Sequence, residues 1–265
     1  VIPLSGGSNI NLMRAESPGP SVGKLVPKIK YTAQILYTIY FGMTIIEIVL
    51  LIISKMPAFD AITLSFGTAG TGGFGIKGDS LASYTALQQW IVTIFMILFG
   101  VNFNAYYLIL FRKFKKAFQM EEVRAYFAII FVATAIITGS LIRGNMQFTD
   151  ALRHAAFQVG SIITTTGYAT VNFDAWSQTC RTILVLLMFV GACAGSTGGG
   201  MKVSRFIVMV KTMIKELNSY IHPKSVKKIK MDDKPVEHEV VRSINVDFIT
   251  FMIIFVVSVF AIAFE

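Results

Sequence analysis

Ala69-Gly70-Thr71-Gly72-Gly73-Phe74 and Thr164-Thr165-Thr166-Gly167-Tyr168-Ala169 are two short polar strings in an otherwise apolar chain. Their Thr-Gly pairs, Thr71-Gly72 and Thr166-Gly167, stand 95 positions apart, as if one device occurred twice. Each string comes after a segment too brief to cross a bilayer, and each such segment lies between two long apolar runs. That is the layout of a re-entrant pore loop, and it points to ion permeation.

Working outward, the composition selects the solvent. The chain of 265 residues is 54% hydrophobic and only 15% charged, with a mean hydropathy of +0.64, well above a soluble mix. A bilayer core of about 30 Å needs roughly 20 apolar residues in a helix. Five runs meet or approach that length: Tyr31 to Ile53, Ala86 to Phe111, Ala125 to Ile142, Thr182 to about Ile214 with a glycine-rich interruption, and Val246 to Phe264. They lack the alternation of barrel strands, so helix is the state that pairs every backbone amide in hydrocarbon. The fold class is an all-α polytopic membrane protein built from repeated helix, re-entrant loop, helix units.

The net charge of +9 reads as topology. Segments 1–30, 112–124 and 202–243 hold 19 of the Lys and Arg residues; the other side holds Lys55, Lys77, Arg143, Arg153 and Arg181. The positive-inside rule places the first group in the cytoplasm and both strings outside. The basic residues lack the aromatic interleaving of a nucleic-acid surface, so no nucleic-acid partner is expected. Cys180 and Cys193 are not placed to bridge, and no catalytic triad, paired carboxylate cleft or redox centre marks an enzyme. His154, His222 and His238 show no metal-ligand spacing. Val1 is not an initiator methionine, so the chain is expected to begin partway through a longer polypeptide.

Each outer connection contains a short helix. Pro57 and Asp60 start one that ends near Gly67; Thr149 and Asp150 start another that runs toward Ser161. A short helix stopping at a glycine string directs its partly negative C-terminal end at that string, and a cation is stabilised there. Backbone carbonyls of an extended Thr/Gly segment can then replace the hydration shell of an alkali cation. A single such string is more often an ordinary loop or packing patch; two, each behind a capped helix and between spans, favour a pore. Glu47 is the one acid that the sequence places deep in a span, where it is expected to pair with Asn102 or Asn104 of the neighbouring run.

Three stretches carry a resemblance: MPAFDAITLSFGTAGTGGFG at 56–75, AAFQVGSIITTTGYATVNFDAW at 155–176 and FVGACAGSTGGGMKVSR at 189–205, with a weaker match in NLMRAESPGP at 11–20. The sequence resembles the Trk/Ktr/HKT superfamily of cation transporters, most closely the bacterial Trk potassium-uptake membrane subunit. The resemblance implies four repeats around a central pore. Residues 1–30 would link from a missing first repeat, 31–118 form the second, 119–215 the third with a broken inner helix, 216–243 a cytoplasmic linker, and 244–265 the first helix of a fourth. The pseudo-fourfold pore is thus incomplete in this chain. The filter glycine is expected at Gly72 and Gly167, with carbonyl-bearing positions Ala69, Gly70 and Thr71, and Thr164, Thr165 and Thr166; Gly70 would stand where the second string has Thr165. Potassium is the implied ion, bound at these residues only; a sodium-selective or symporting relative and a non-conducting scaffold are the alternatives.

The run Ala194-Gly195-Ser196-Thr197-Gly198-Gly199-Gly200-Met201-Lys202 superficially suggests a phosphate cradle, but Met201 breaks the Gly-Lys-Ser/Thr pattern and no strand precedes it. The resemblance implies an intramembrane gating loop, with Ser196 and Thr197 satisfying freed backbone groups and Lys202 reaching carbonyls or the inner interface. It also implies membrane lipid, a homodimer partner and a cytosolic nucleotide-binding regulatory subunit. No cofactor is expected in this chain; nucleotide would enter only through the regulator.

Overall fold

A computed structural model describes residues 29–222 and 228–264. The 11–20 motif, Lys224 and Lys227 lie outside the described residues. In chain order the helices are α1 (Ile29–Ile53), α2 (Ala58–Ala69), α3 (Ala86–Phe99), α4 (Phe103–Leu110), α5 (Phe114–Gln119), α6 (Glu121–Arg143), α7 (Phe148–Ile163), α8 (Gln178–Val190), α9 (Val203–Ile221) and α10 (His238–Ala263). Three of them, α1, α6 and α10, are long and apolar enough to span a bilayer alone.

The second apolar run is not one helix. It breaks into α3 and α4, bent by 92°. The cause is local: Gly100 comes after the last turn of α3, and the Asn102 side chain accepts from the Asn104 N–H to cap α4. Apolar composition alone, which joins Ala86 to Phe111, hides this break.

The two short helices occupy the connections between the apolar runs. Asp60 lies in the first turn of α2, and α7 is backed by α6 and α3. The two connections also interlock. Tyr168 is fully buried with Leu64, Leu81 and Met96, and its hydroxyl donates to the Leu64 carbonyl (3.2 Å). Leu81 N–H donates to Ala169 O (2.9 Å), and Ala169 N–H to Ser80 Oγ (3.2 Å). Beside α2 the Tyr84 hydroxyl donates to Asp60 (2.8 Å); burial, then that carboxylate, pushes its pKa up to about 12, so the bond persists through the physiological range.

The linker expected over 216–243 has structure of its own. Strands β1 (Lys230–Met231) and β2 (Lys234–Pro235) pair antiparallel across Asp232 and Asp233, both at positive φ, the conformation of a two-residue hairpin turn. Met231 and Val236 bury against Val208 of α9 and Ile244 of α10. The hairpin is therefore packed, where polarity alone suggests a solvated tether. Its Asp232 carboxylate accepts from the Glu121 N–H (2.8 Å) at the start of α6.

Candidate functional site: two strings and a loop beneath them

The strings begin where the short helices end. Ala69 is still the last residue of α2, and Gly70 and Thr164 are the C-caps of α2 and α7. The backbone then takes one course twice. Gly70 N–H donates to Phe66 O, Thr71 N–H to Thr68 O and Gly72 N–H to Gly67 O; Thr164 N–H donates to Gly160 O, Thr165 N–H to Ile162 O and Thr166 N–H to Ser161 O. Every bond in the second set matches one in the first at an offset of 94. Positive φ recurs at the same offset, in Thr71 (50°) and Thr165 (58°), then in Gly73 (71°) and Gly167 (91°).

The equivalence of Gly72 with Gly167 is thus corrected by one residue. Gly73 is the counterpart of Gly167, Gly72 of Thr166, and Phe74 of Tyr168. Gly70 accordingly corresponds to Thr164, not Thr165. Matching the Thr-Gly dipeptides misleads because the first string has consecutive glycines, and only dihedral angles reveal which one carries the left-handed turn.

Two properties of the strings bear on ions. The carbonyls of Thr71, Gly72 and Gly73, and those of Thr165, Thr166 and Gly167, accept no hydrogen bond from any described residue. The side chains are instead tied down: Thr164 Oγ1 donates to Gly160 O (2.7 Å) and lies 2.7 Å from Thr166 Oγ1. The strings also touch, since a Cβ on Gly73 would overlap the Thr166 carbonyl oxygen, whereas one on Gly167 would meet open space.

Residues 191–202 form an irregular loop directly against both strings. Thr71 Oγ1 donates to Thr197 O (3.3 Å), and Gly199 N–H donates to Thr165 Oγ1 (2.7 Å). The loop's other side sits on the break between α3 and α4. Cys193 N–H donates to Gly100 O (3.0 Å), Phe103 N–H to Gly195 O (3.0 Å), and Thr197 to Phe99 O through its N–H (3.4 Å) and its hydroxyl (3.3 Å). Ser196 Oγ donates to Cys193 O (2.6 Å), and the Lys202 ammonium to Gly198 O. Ala194, Gly195, Ser196, Thr197, Gly198, Gly199, Gly200 and Lys202 thus form one connected unit with the strings. Irregular backbone at this depth is tolerated because its polar groups find partners.

A residue that no sequence motif marks holds this loop. Glu122 is 3% exposed. Its Oε1 accepts from Ala194 N–H (2.6 Å) and Ser204 N–H (3.1 Å), and its Oε2 from Asn102 Nδ2 (3.2 Å). One carboxylate therefore ties both ends of the loop to the helix break, and it stands at the N-terminus of α9, where negative charge is favoured. The signal in the sequence is slight. Glu121 and Glu122 open α6 together, and successive helical residues point about 100° apart, so when Glu121 pairs outward with Lys211 its neighbour faces in.

Glu47 is a correction in the opposite sense. It is buried in α1, but Asn102 is engaged by Glu122, and neither Glu47 oxygen has a hydrogen-bond partner among the described residues. The neighbouring Thr68 hydroxyl gives its proton to Leu64 O (2.8 Å). His154 of α7 makes a local contact with Thr170 Oγ1 (2.9 Å). Cys180 and Cys193 are both free.

Spanning helices that alternate with short helices ending in glycine strings, and an inner helix interrupted beneath them, define a polytopic helical membrane protein of the pore-loop class. The sequence profile of the TrkH family, described as a cation transport protein, matches residues 1–264, and the chain belongs to that family. It is 32% identical over 267 residues to the Trk system potassium uptake protein TrkH of Salmonella typhimurium, covering 99% of this chain and 55% of that protein. It is 30% identical over 248 residues to the Trk system potassium uptake protein TrkG of Escherichia coli, covering 92% and 51%. Among solved structures, the crystal structure of the potassium transporter TrkH from Vibrio parahaemolyticus superposes with a TM-score of 0.82 at 30% identity, over 89% of this chain and 52% of that one. The chain spans about half the length of these relatives. The resemblance expected from the three motifs is borne out.

Proposed function

We propose that this chain supplies two walls of a potassium-selective pore for uptake across the plasma membrane. The observation that carries this reading is the pair of backbone-matched strings in which the carbonyls of Thr71, Gly72 and Gly73, and of Thr165, Thr166 and Gly167, have no hydrogen-bond partner among the described residues. Carbonyls oriented by left-handed residues and left without donors are suited to replace a cation's hydration shell. The C-terminal ends of α2 and α7 add negative potential there. Two further pore loops complete the ring, and the strings face outward, a reading supported by the Lys and Arg distribution. In the corrected register the ion-binding positions are Thr71, Gly72 and Gly73 with Thr165, Thr166 and Gly167. Ala69, Gly70 and Thr164 serve as the helix ends from which the strings depart.

The test is uptake by the full-length protein in cells that cannot otherwise grow at low potassium. Gly167→Ser places a hydroxyl in open space beside the filter at a residue with φ of 91°. Its preference for potassium over sodium is expected to fall by about tenfold, equivalent to about 1.4 kcal/mol, measured by competitive rubidium and sodium uptake. Unchanged selectivity with full uptake would mean that the strings are not the filter, whereas failure of the unaltered protein to restore growth would favour the non-conducting scaffold.

The glycine-rich loop is the gate beneath the filter. Its contacts with Thr71 and Thr165 support this, since a segment docked on both walls narrows the path below them. Removing residues 194–200 is expected to raise flux several-fold in the absence of any regulator; unaltered flux and regulation would dismiss the gate. Regulation itself is assigned to a cytosolic nucleotide-binding partner, with the transporter paired as a homodimer. Any nucleotide then belongs to the partner, and no cofactor is assigned to this chain.

A further inference from the structure

The lysine-rich end of the bundle carries a groove that the pore does not use. It has a volume of about 330 Å³ and lies between the C-terminal half of α9 and the strand leading into the hairpin, lined by Lys211, Lys215, Asn218, Ser219, Lys228 and Lys230. Lys211 Nζ donates to Lys230 O (2.8 Å) and pairs with Glu121; Lys215 has Glu216 at 3.9 Å. Asp232 is occupied by the Glu121 N–H. Among the described residues neither Lys228 nor Lys230 has an acidic partner, and both are exposed. Four ammonium groups around one groove, two of them uncompensated, repel one another unless an anion sits between them.

The depth of the groove identifies the anion's source. Glu121 is the first residue of the spanning helix α6, so its pairing with Lys211 fixes the groove at the end of a membrane span. On the side nearer the span, where Arg205 pairs with Asp247 and Val208 packs on Ile244 of α10, α9 presents an exposed apolar stripe, Phe206, Val210 and Met213, at four- and three-residue intervals beside the lysines. An apolar stripe next to a cationic face at the bilayer boundary matches a molecule with acyl chains and a phosphate.

We propose that the groove binds the phosphate headgroup of an anionic phospholipid of the inner leaflet. Lys215, Lys228 and Lys230 hold the phosphate, Asn218 and Ser219 add neutral hydrogen bonds, and the acyl chains lie along the α9 stripe. The site is independent of the selectivity of the pore.

The experiment uses the full-length protein in phosphatidylcholine nanodiscs doped with phosphatidylglycerol, with retained lipid measured by native mass spectrometry. Wild type is expected to retain phosphatidylglycerol over phosphatidylcholine, and the Lys215→Gln/Lys228→Gln/Lys230→Gln triple variant to lose about tenfold of that preference. Lys115→Gln/Lys116→Gln, which removes two exposed charges on α5, is expected to leave retention unchanged and controls for general surface charge. Equal retention by wild type and the triple variant would overturn the proposal, as would displacement of the lipid by free inorganic phosphate, which would assign the groove to a soluble ligand. If both lipids are retained equally, a protein segment is the better occupant and the lipid assignment fails.

Discussion

A Gly73→Ala variant is expected to reach the membrane and to lose potassium uptake by at least tenfold. Two costs act at this position. A Cβ at φ of 71° carries about 1–2 kcal/mol of left-handed strain. The second cost is specific, because the new methyl would overlap the Thr166 carbonyl oxygen, with the Thr166 and Gly167 carbonyl carbons just behind it. Backbone atoms cannot rotate out of the way as a side-chain tip can, so the neighbouring string must shift and its carbonyls re-aim. A displacement of a few tenths of an ångström matters to the ion-coordinating role proposed for these carbonyls. Gly42→Ala is the control: it lies within α1 with nothing inside 4 Å of its Cβ, and is expected to be neutral or slightly stabilising. Rubidium uptake, normalised to the protein at the membrane, measures both. Wild-type uptake by Gly73→Ala would mean that Gly73 is not the filter counterpart of Gly167, and would restore Gly72 to that place.

The second large effect belongs to Glu122. Truncation to alanine leaves the Ala194 and Ser204 amides and the Asn102 side chain without their acceptor in a buried site. Each stranded donor costs about 1–3 kcal/mol. The protein recovers much of this by letting the loop move until those groups find other partners, and under the gating role proposed for the loop such movement opens the path. Glu122→Ala is therefore expected to raise unregulated flux several-fold while lowering thermal stability. Glu122→Gln keeps one oxygen acceptor for the two amides but turns an N–H₂ toward the Asn102 donor, so an intermediate effect is expected. The informative readout is flux without the regulator against flux with it. A variant that is merely unstable loses both in proportion; a loosened gate loses only their difference.

The layout of the fold was legible because hydrocarbon permits few solutions. Runs of apolar residues had to be helices, and the short segments behind Pro57 and Asp150 could only be re-entrant. The site was less legible, for reasons that differ by residue. The break at Gly100 to Asn102 lies inside a run whose hydropathy never falls, and only the cap on Asn104 distinguishes it. The choice between Gly72 and Gly73 turns on dihedral angles that two adjacent glycines do not encode. Glu122 sits among the acids of a first helical turn, where a solvent-facing role is the ordinary expectation, and its burial arises from tertiary contact with a loop about 70 residues away. Glu47, by contrast, was conspicuous for its depth, but the amide that should have met it was already held by another carboxylate.

The Tyr168 contact has a consequence for how the protein is made. Its hydroxyl reaches the Leu64 carbonyl across 104 positions of sequence, and its ring completes the core behind α2. A chain inserted into the bilayer from its N-terminal side must therefore keep the first re-entrant helix waiting, with its inner face unsealed, until the second arrives. Neither half of this pair is a finished folding unit. A stop or lesion between them would leave a membrane-embedded polar loop with no lining, a natural target for quality-control proteolysis during synthesis.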